Sequence, residues 1–342
     1  MAFINALHSI IKKSNRDILN FYSSNNNLFI REFNIKSGWK TPKKLLNDVD
    51  EYLFNIKIDN SNKVYGIASP EGGDVLYFYS DKDDLIKEKK LFSYNSEKYS
   101  LMYPYIMKID STLCIIYFFQ DMLSSDSWTL FSHYFDGKVW YEFVIDSISA
   151  HPFVPPFVVT FSAKKPTVFY LKNEEIFSST FNADDKTWAL PIQLTNTSNK
   201  KMYLSVLQDN TNTFHLSWSE FIADSLTIRY FSGSFKKDSF SGSKITNLSE
   251  PSNTSYPSII KTSNKLWIMW VQLDKLYSRY SIDNGNSWSD AFIDPKSCKH
   301  DFIRYKFFSN CDHDLKHLNV DWVFGTFNPR ISFIGFDKSI ES

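Results

Sequence analysis

Hydrophobic and polar positions along the chain fall into short runs that recur. The segment SIIKTSNKLWIMW at 258–270 joins an apolar stretch, a polar turn and a second apolar stretch that ends in an aromatic ring. SIIKKSN at 9–15 differs from SIIKTSN at a single position, and YIMKIDSTLCIIY at 105–117 and LSVLQDNTNTFHLSW at 204–218 have the same form. The closing aromatics are Tyr22, Tyr65, Tyr117, Tyr170, Trp218, Trp270 and Trp322, spaced by 43, 52, 53, 48, 52 and 52 residues. A second run follows each: LFIREFN at 28–34, VLYFYS at 75–80, TLFSHYF at 129–135, EIFSSTF at 175–181, LTIRYFS at 226–232, LYSRYSI at 276–282 and RISFIGF at 330–336. These runs are rich in β-branched and aromatic residues and are bounded by Asn, Asp, Ser and Gly, as strands are. In four units a Trp opens the next strand: Trp39, Trp140, Trp188 and Trp288.

The unit is therefore four antiparallel strands, a to d. A strand-built repeat near 50 residues predicts an all-β fold, a β-propeller. Seven blades use the whole chain as one domain, about 1–47, 48–95, 96–146, 147–195, 196–249, 250–294 and 295–342; six remain open if one unit is irregular. Little sequence follows strand c of the last unit. The segment 3–6 is expected to supply its missing outer strand beside 330–336, because an unpaired edge is a liability.

The turn between strands c and d of the sixth unit reads Ser281-Ile282-Asp283-Asn284-Gly285-Asn286-Ser287-Trp288, the form S/T-x-D-x-G-x-T/S-W. Asp283 can accept backbone N–H groups of its own turn, Gly285 permits a positive φ, and Trp288 can pack beside the hairpin. Shortened copies stand at Asp184 to Trp188, Asp136 to Trp140 and Ser37 to Trp39. Here the chain resembles the sialidase-like propellers with Asp-box (BNR) repeats. The resemblance implies a structural role for Ser281, Asp283, Gly285 and Trp288, and a ligand site on the opposite face. It names a fold and not an activity.

Sialidases grip a carboxylate with three arginines, one in an Arg-Ile-Pro motif opening an innermost strand; the guanidinium matches a carboxylate bidentately. Where that motif would stand, this chain has Met102-Tyr103-Pro104 and Ser255-Tyr256-Pro257. Arg31, Arg229 and Arg279 fall on strand c, too far from the axis, and Arg16 falls in an a–b turn, so only Arg304 and Arg330 could reach the mouth. A sialidase is not expected.

Strand b ends repeatedly in an aromatic followed by a polar group, as in Gln120 and Asp121 after Tyr117, Glu220 after Trp218, and Gln272 after Trp270. The d–a loops add Tyr103, His151, Tyr256 and Asp301. Aromatic platforms beside amides and carboxylates suit a sugar, so the expected ligand-binding residues are Tyr103, Gln120, His151, Glu220, Tyr256, Gln272, Arg304 and Arg330. The expected function is a non-catalytic glycan-binding propeller. The alternatives are a glycoside hydrolase, for which Asp121, Glu220 and Asp301 are the candidate carboxylates, and a protein-interaction scaffold.

Composition narrows the partners. Basic and acidic residues number 38 each, so no net charge recruits nucleic acid or a membrane surface. No apolar stretch reaches 18 residues, and residues 1–15 lack the pattern of a secretory leader, which makes cytoplasmic residence the expectation for an unprocessed chain. Three cysteines do not make a disulfide framework. The groups Cys298 with His300 and Cys311 with His313 and His317 are separated by a strand of roughly 20 Å. They cannot share one tetrahedral metal site, and neither a metal nor another cofactor is expected.

Overall fold

The computed structural model describes residues 2–81, 83, 85–109, 112–123, 128–148, 157–162, 165–236, 239–328 and 330–336. The chain is an all-β propeller built of successive antiparallel units. The innermost strands are Phe3–Lys12, Phe54–Ile58, Tyr99–Ile109, Phe157–Ser162, Lys201–Gln208, Ser255–Thr262 and Phe302–Ser309. Each pairs antiparallel with a second strand, such as Leu266–Gln272, which pairs with a third, such as Lys275–Ser281. Fourth strands are long in units 2 and 3 (Ile86–Ser93 and Trp140–Ile148) and short in units 1, 4, 5 and 6, and the described residues of the last unit end its sheet at the third strand, Ser332–Ile334. Seven units thus follow one another, yet the described strands form six sheets, because the first and last units share one of eight strands.

The hydrophobic core lies between sheets. Six apolar clusters lie between neighbouring units, one of them spanning the sixth, seventh and first together. A second strand is therefore covered on both faces and reads as a continuous apolar run. In Leu266–Gln272 every residue except Gln272 is buried.

The ring closes differently from the sequence expectation. Residues 3–6 do not extend the outer edge of the last unit beside 330–336. Phe3–Lys12 pairs parallel with Phe302–Ser309 at the innermost edge, from Phe3 opposite Phe302 through Leu7 opposite Arg304 to Lys12 opposite Ser309. Packing favours this register: the Phe3 ring meets Phe302 at 5.5 Å, Phe324 at 6.1 Å and Tyr256 at 5.1 Å, while Ile10 and Ile11 are buried.

The turn from Ser281 to Trp288, which resembles an Asp box in sequence, forms the local network its residues predict. Ser281 Oγ donates to Asp283 Oδ1 at 2.7 Å and accepts the Gly285 N–H at 2.7 Å; Asp283 accepts the Ser287 N–H at 2.8 Å and hydroxyl at 2.6 Å. Those donors hold the Asp283 carboxyl at about 2. Trp288 packs edge-on against Tyr230 of the preceding unit at 4.9 Å.

One insertion shapes the axis. The last unit joins its first two strands through residues 310–321, which carry the helix Asp312–His317 and the strand Leu318–Val320. That strand pairs antiparallel with the innermost strand Ser255–Thr262. Asn310 Nδ2 donates to the Asp59 carbonyl at 2.7 Å, Asn319 Nδ2 donates to the Gln208 carbonyl at 2.7 Å, and Lys12 pairs with Asp314 at 3.0 Å. The insertion thus ties units 1, 2, 5 and 6 together across the Asp-box end of the channel.

Candidate functional site at the central mouth

Strand direction assigns the two ends of the channel. Each innermost strand runs toward its a–b turn, and that turn shares an end with the Asp box: Lys261 Nζ donates to Asn284 Oδ1 at 2.8 Å. The entrances of the innermost strands therefore surround the opposite mouth.

Three tyrosines occupy equivalent entrance positions. Tyr103, Tyr203 and Tyr256 have φ of +55°, +57° and +52°, and each sits in a register shift between its strand and the next. Left-handed backbone on a bulky residue is unfavourable and persists only where its surroundings impose it. Here the bulge turns the phenol toward the axis. Tyr203 and Tyr256 rings lie 4.3 Å apart, and Tyr103 packs on Tyr52 at 5.3 Å. Tyr52 comes from the loop before the second unit, where its N–H donates to Asp50 Oδ1 at 2.7 Å.

Beneath these rings is a cavity of about 60 Å³, lined among others by Glu51, Tyr105, Arg304, Lys306, Asp321 and Trp322. Arg304 and Lys306 are two apart on Phe302–Ser309, so strand periodicity brings both to the axial face. The Arg304 guanidinium lies 4.4 Å from the Trp322 ring and 5.0 Å from Tyr256. The Lys306 ammonium lies 5.1 Å from Trp322 and 5.2 Å from Tyr105. On the far side of Tyr105, Lys57 sits 4.4 Å from the ring and donates to its hydroxyl at 2.8 Å.

Burial dominates the electrostatics. It pulls the Lys57 ammonium down to about 8 and the Arg304 guanidinium to about 10, against the opposing pull of Asp321. Lys306 is lowered by burial, with Lys57 and Arg304 adding to the effect and Asp321 opposing it. Burial raises the Tyr52 phenol to about 12 and those of Tyr103 and Tyr256 above the ordinary range. The tyrosines are therefore protonated donors at neutral pH.

Of the residues expected from the sequence, Tyr103 and Arg304 line this cavity, and Tyr256 lines a smaller one of about 20 Å³ that shares Glu51, Tyr52, Arg304 and Trp322 with it; the others line neither. Glu220 is fully buried and accepts hydrogen bonds from Trp218 Nε1 at 2.8 Å and Asn199 Nδ2 at 3.0 Å, with Arg229 Nε at 3.4 Å. It is a structural anchor and not a mouth carboxylate. Gln272 plays the same part in the next unit, accepting from Trp270 Nε1 at 3.2 Å. Gln120 and Asp121 end the strand Thr112–Asp121, where Gln120 lies opposite Trp128 and Asp121 accepts the Leu123 N–H at 3.0 Å. Asp301 is exposed and accepts the Ala2 N–H at 2.8 Å. Arg330 lines a groove shared with Arg16 and Trp39, between the first and last units. His151 lies outside the described residues.

Sequence reasoning missed Tyr52, Tyr203, Glu51, Lys57, Lys306, Asp321 and Trp322 as members of one site. The signal for Tyr203 was present: Met202-Tyr203-Leu204 repeats Met102-Tyr103-Pro104 with Leu in place of Pro.

No protein-family model matches the chain, and no curated protein matches it in sequence. Its fold is similar to that of a protein from Lactobacillus plantarum, at 9% identity and a TM-score of 0.53 over 84% of each chain. The polysaccharide lyase Uly1 is similar at 10% identity and a TM-score of 0.51, over 84% of this chain and 81% of the lyase. The fucose-recognising lectin of Aleuria aurantia, described as a six-bladed β-propeller, matches at 10% identity and a TM-score of 0.47, over 85% of this chain and 96% of the lectin.

Proposed function

We propose that this propeller is a non-catalytic binding module that takes a glycan at the mouth opposite the Asp-box turn. The observation that carries the reading is the repeated left-handed tyrosine. Three units hold a tyrosine in backbone that costs of order 1–3 kcal/mol, and all three direct it to one mouth. Sugars present apolar faces and hydroxyl rims. Rings with protonated phenol tips meet both requirements.

The hydrolase alternative has weaker support. It needs two carboxylates facing each other across the bond to be cut. Of its candidates, Glu220 is enclosed by its own donors, and Asp121 and Asp301 do not line the cavity. Buried phenols raised in this way do not serve as bases at neutral pH. The Asp-box hairpin supports kinship with the sialidase-like propellers, in a structural role. A glycan array followed by calorimetry tests the reading. Selective glycan binding that Tyr103→Ala and Tyr256→Ala abolish is the expected result. An array without hits overturns it.

A further inference from the structure

Arg304 and Lys306 line the cavity, and a third cation, Lys57, lies against the lining residue Tyr105. The Tyr105 ring lies 4.4 Å from the Lys57 charge and 5.2 Å from that of Lys306, and the Trp322 ring lies 5.1 Å from Lys306 and 4.4 Å from Arg304. Their charges are poorly answered. Among the described residues the side chains of Arg304 and Lys306 make neither a hydrogen bond nor an ion pair, and Arg304 Nε is buried with no partner. Asp321 is the carboxylate that acts on all three, yet it forms no ion pair with any of them. Glu51, the other carboxylate in the lining, stands at the rim, where it accepts the Leu7 N–H at 3.1 Å and interacts with Tyr52. Around the chamber three cations, one of them behind the lining, thus face two carboxylates, Asp321 and Glu51.

A chain gains no stability from holding unpaired cations out of water, since desolvation exceeds what cation–π contacts return. The rings hold the cations in place without neutralising them. Residues 310–321, which cross the Asp-box end of the channel, also bring Asp321 to the cavity. The chamber faces the mouth beneath the tyrosines.

We propose that the ligand of this mouth carries an acidic group, a carboxylate or a sulfate, which enters the cavity and is held by Arg304 and Lys306. The proposal rests on the glycan reading above and narrows it to acidic sugars. The tyrosines hold the sugar face, and the anion completes the charge balance below. Arg304 has its guanidinium fork available for bidentate contact, and Lys306 supplies a point charge.

Calorimetric titration of the full chain tests this with four probes: tetragalacturonate, its methyl ester, a sulfated cellotetraose and sodium sulfate. At least one acidic tetrasaccharide is expected to bind ten-fold or more tighter than the ester, with affinity falling as salt rises. Preference for tetragalacturonate assigns a carboxylate, and preference for the sulfated sugar assigns a sulfate. Lys306→Met and Arg304→Met are each expected to lose that preference while keeping or raising thermal stability. If the ester binds as tightly as the acids, the acidic-group proposal is overturned and the glycan reading stands. If no sugar binds but sodium sulfate raises the melting temperature of the wild type and not of Lys306→Met, the glycan reading fails and the anion seat remains. Failure of all four probes overturns both.

Discussion

The Tyr203 and Tyr256 rings meet at 4.3 Å, tilted by 44°, across neighbouring units, and both do so from left-handed backbone, at φ +57° and +52°. Each strand carries a register shift at this residue. Tyr103 repeats the device two units earlier in the chain. Strain held at one equivalent position in three repeats is the pattern expected of a binding surface.

The strain has a measurable signature. In an ordinary strand Gly is about 0.5–1 kcal/mol less stable than Ala. At a left-handed position the order reverses, because Ala keeps the steric conflict and Gly does not. Tyr203→Gly should therefore be more stable than Tyr203→Ala by about 1 kcal/mol, as read from urea unfolding midpoints. Both should weaken glycan binding equally, since both lose the ring. An Ala variant more stable than the Gly variant would show that the backbone there is not strained.

The sequence showed the architecture better than the chemistry, for physical reasons. The 52-residue spacing survives because every second strand must be buried on both faces; the recurring aromatic lies within that strand and not at its end, for Trp322 opens Trp322–Thr326 and Tyr65 is second in Val64–Ala68. Tyr103 and Tyr256 stood out because proline follows each; Tyr203, followed by Leu204, did not. Lys57 and Lys306 look like solvated lysines on alternating strands, and only closure of the ring places them on one axis. The closure itself has no local signal, because a parallel pair between residues 3–12 and 302–309 joins the two ends of the chain. Glu220 misled for a related reason. Its spacing of two from Trp218 puts both on one strand face, and that proximity served a hydrogen bond between them.

Glu220 gives the second prediction. Removing one partner of a buried, hydrogen-bonded charge leaves the others unpaired and typically costs about 3–5 kcal/mol. Glu220→Ala should lose stability on that scale, because the Trp218 and Asn199 donors and Arg229 lose their acceptor. The fraction that remains folded should bind glycan with wild-type affinity. Lost binding at unchanged stability would return Glu220 to the mouth.

Gly285 is constrained twice. Its φ is +95°, and a Cβ built there would lie 2.0 Å from the Tyr230 hydroxyl. Tyr230 is buried and holds His215 Nδ1 at 2.8 Å, so it has little room to yield. Gly285→Ala should destabilise the protein by about 2–4 kcal/mol, measured as a shift in denaturation midpoint at unchanged slope. The turn lies at the far end from the mouth, and binding should be unaffected.

His8 sets a pH dependence whose sign follows from its burial. Its ring stacks on Tyr22 at 5.0 Å and meets Tyr305 edge-on at 5.7 Å. Burial holds its pKa at about 4 against an ordinary 6.5, with Asn20 opposing the shift. Between those values the unfolded chain binds a proton that the folded chain refuses, so stability rises with pH across the window. The contribution is complete above pH 6.5 and is lost as pH falls toward 4, on the order of 2–3 kcal/mol. His133 and His215 are lowered by burial as well and act in the same direction. His8→Phe keeps the stacked ring and removes the titration. Urea midpoints at pH 4.5 and 7 should therefore differ less in the variant than in the wild type. An unchanged difference would mean that His8 is protonated as readily in the fold as outside it.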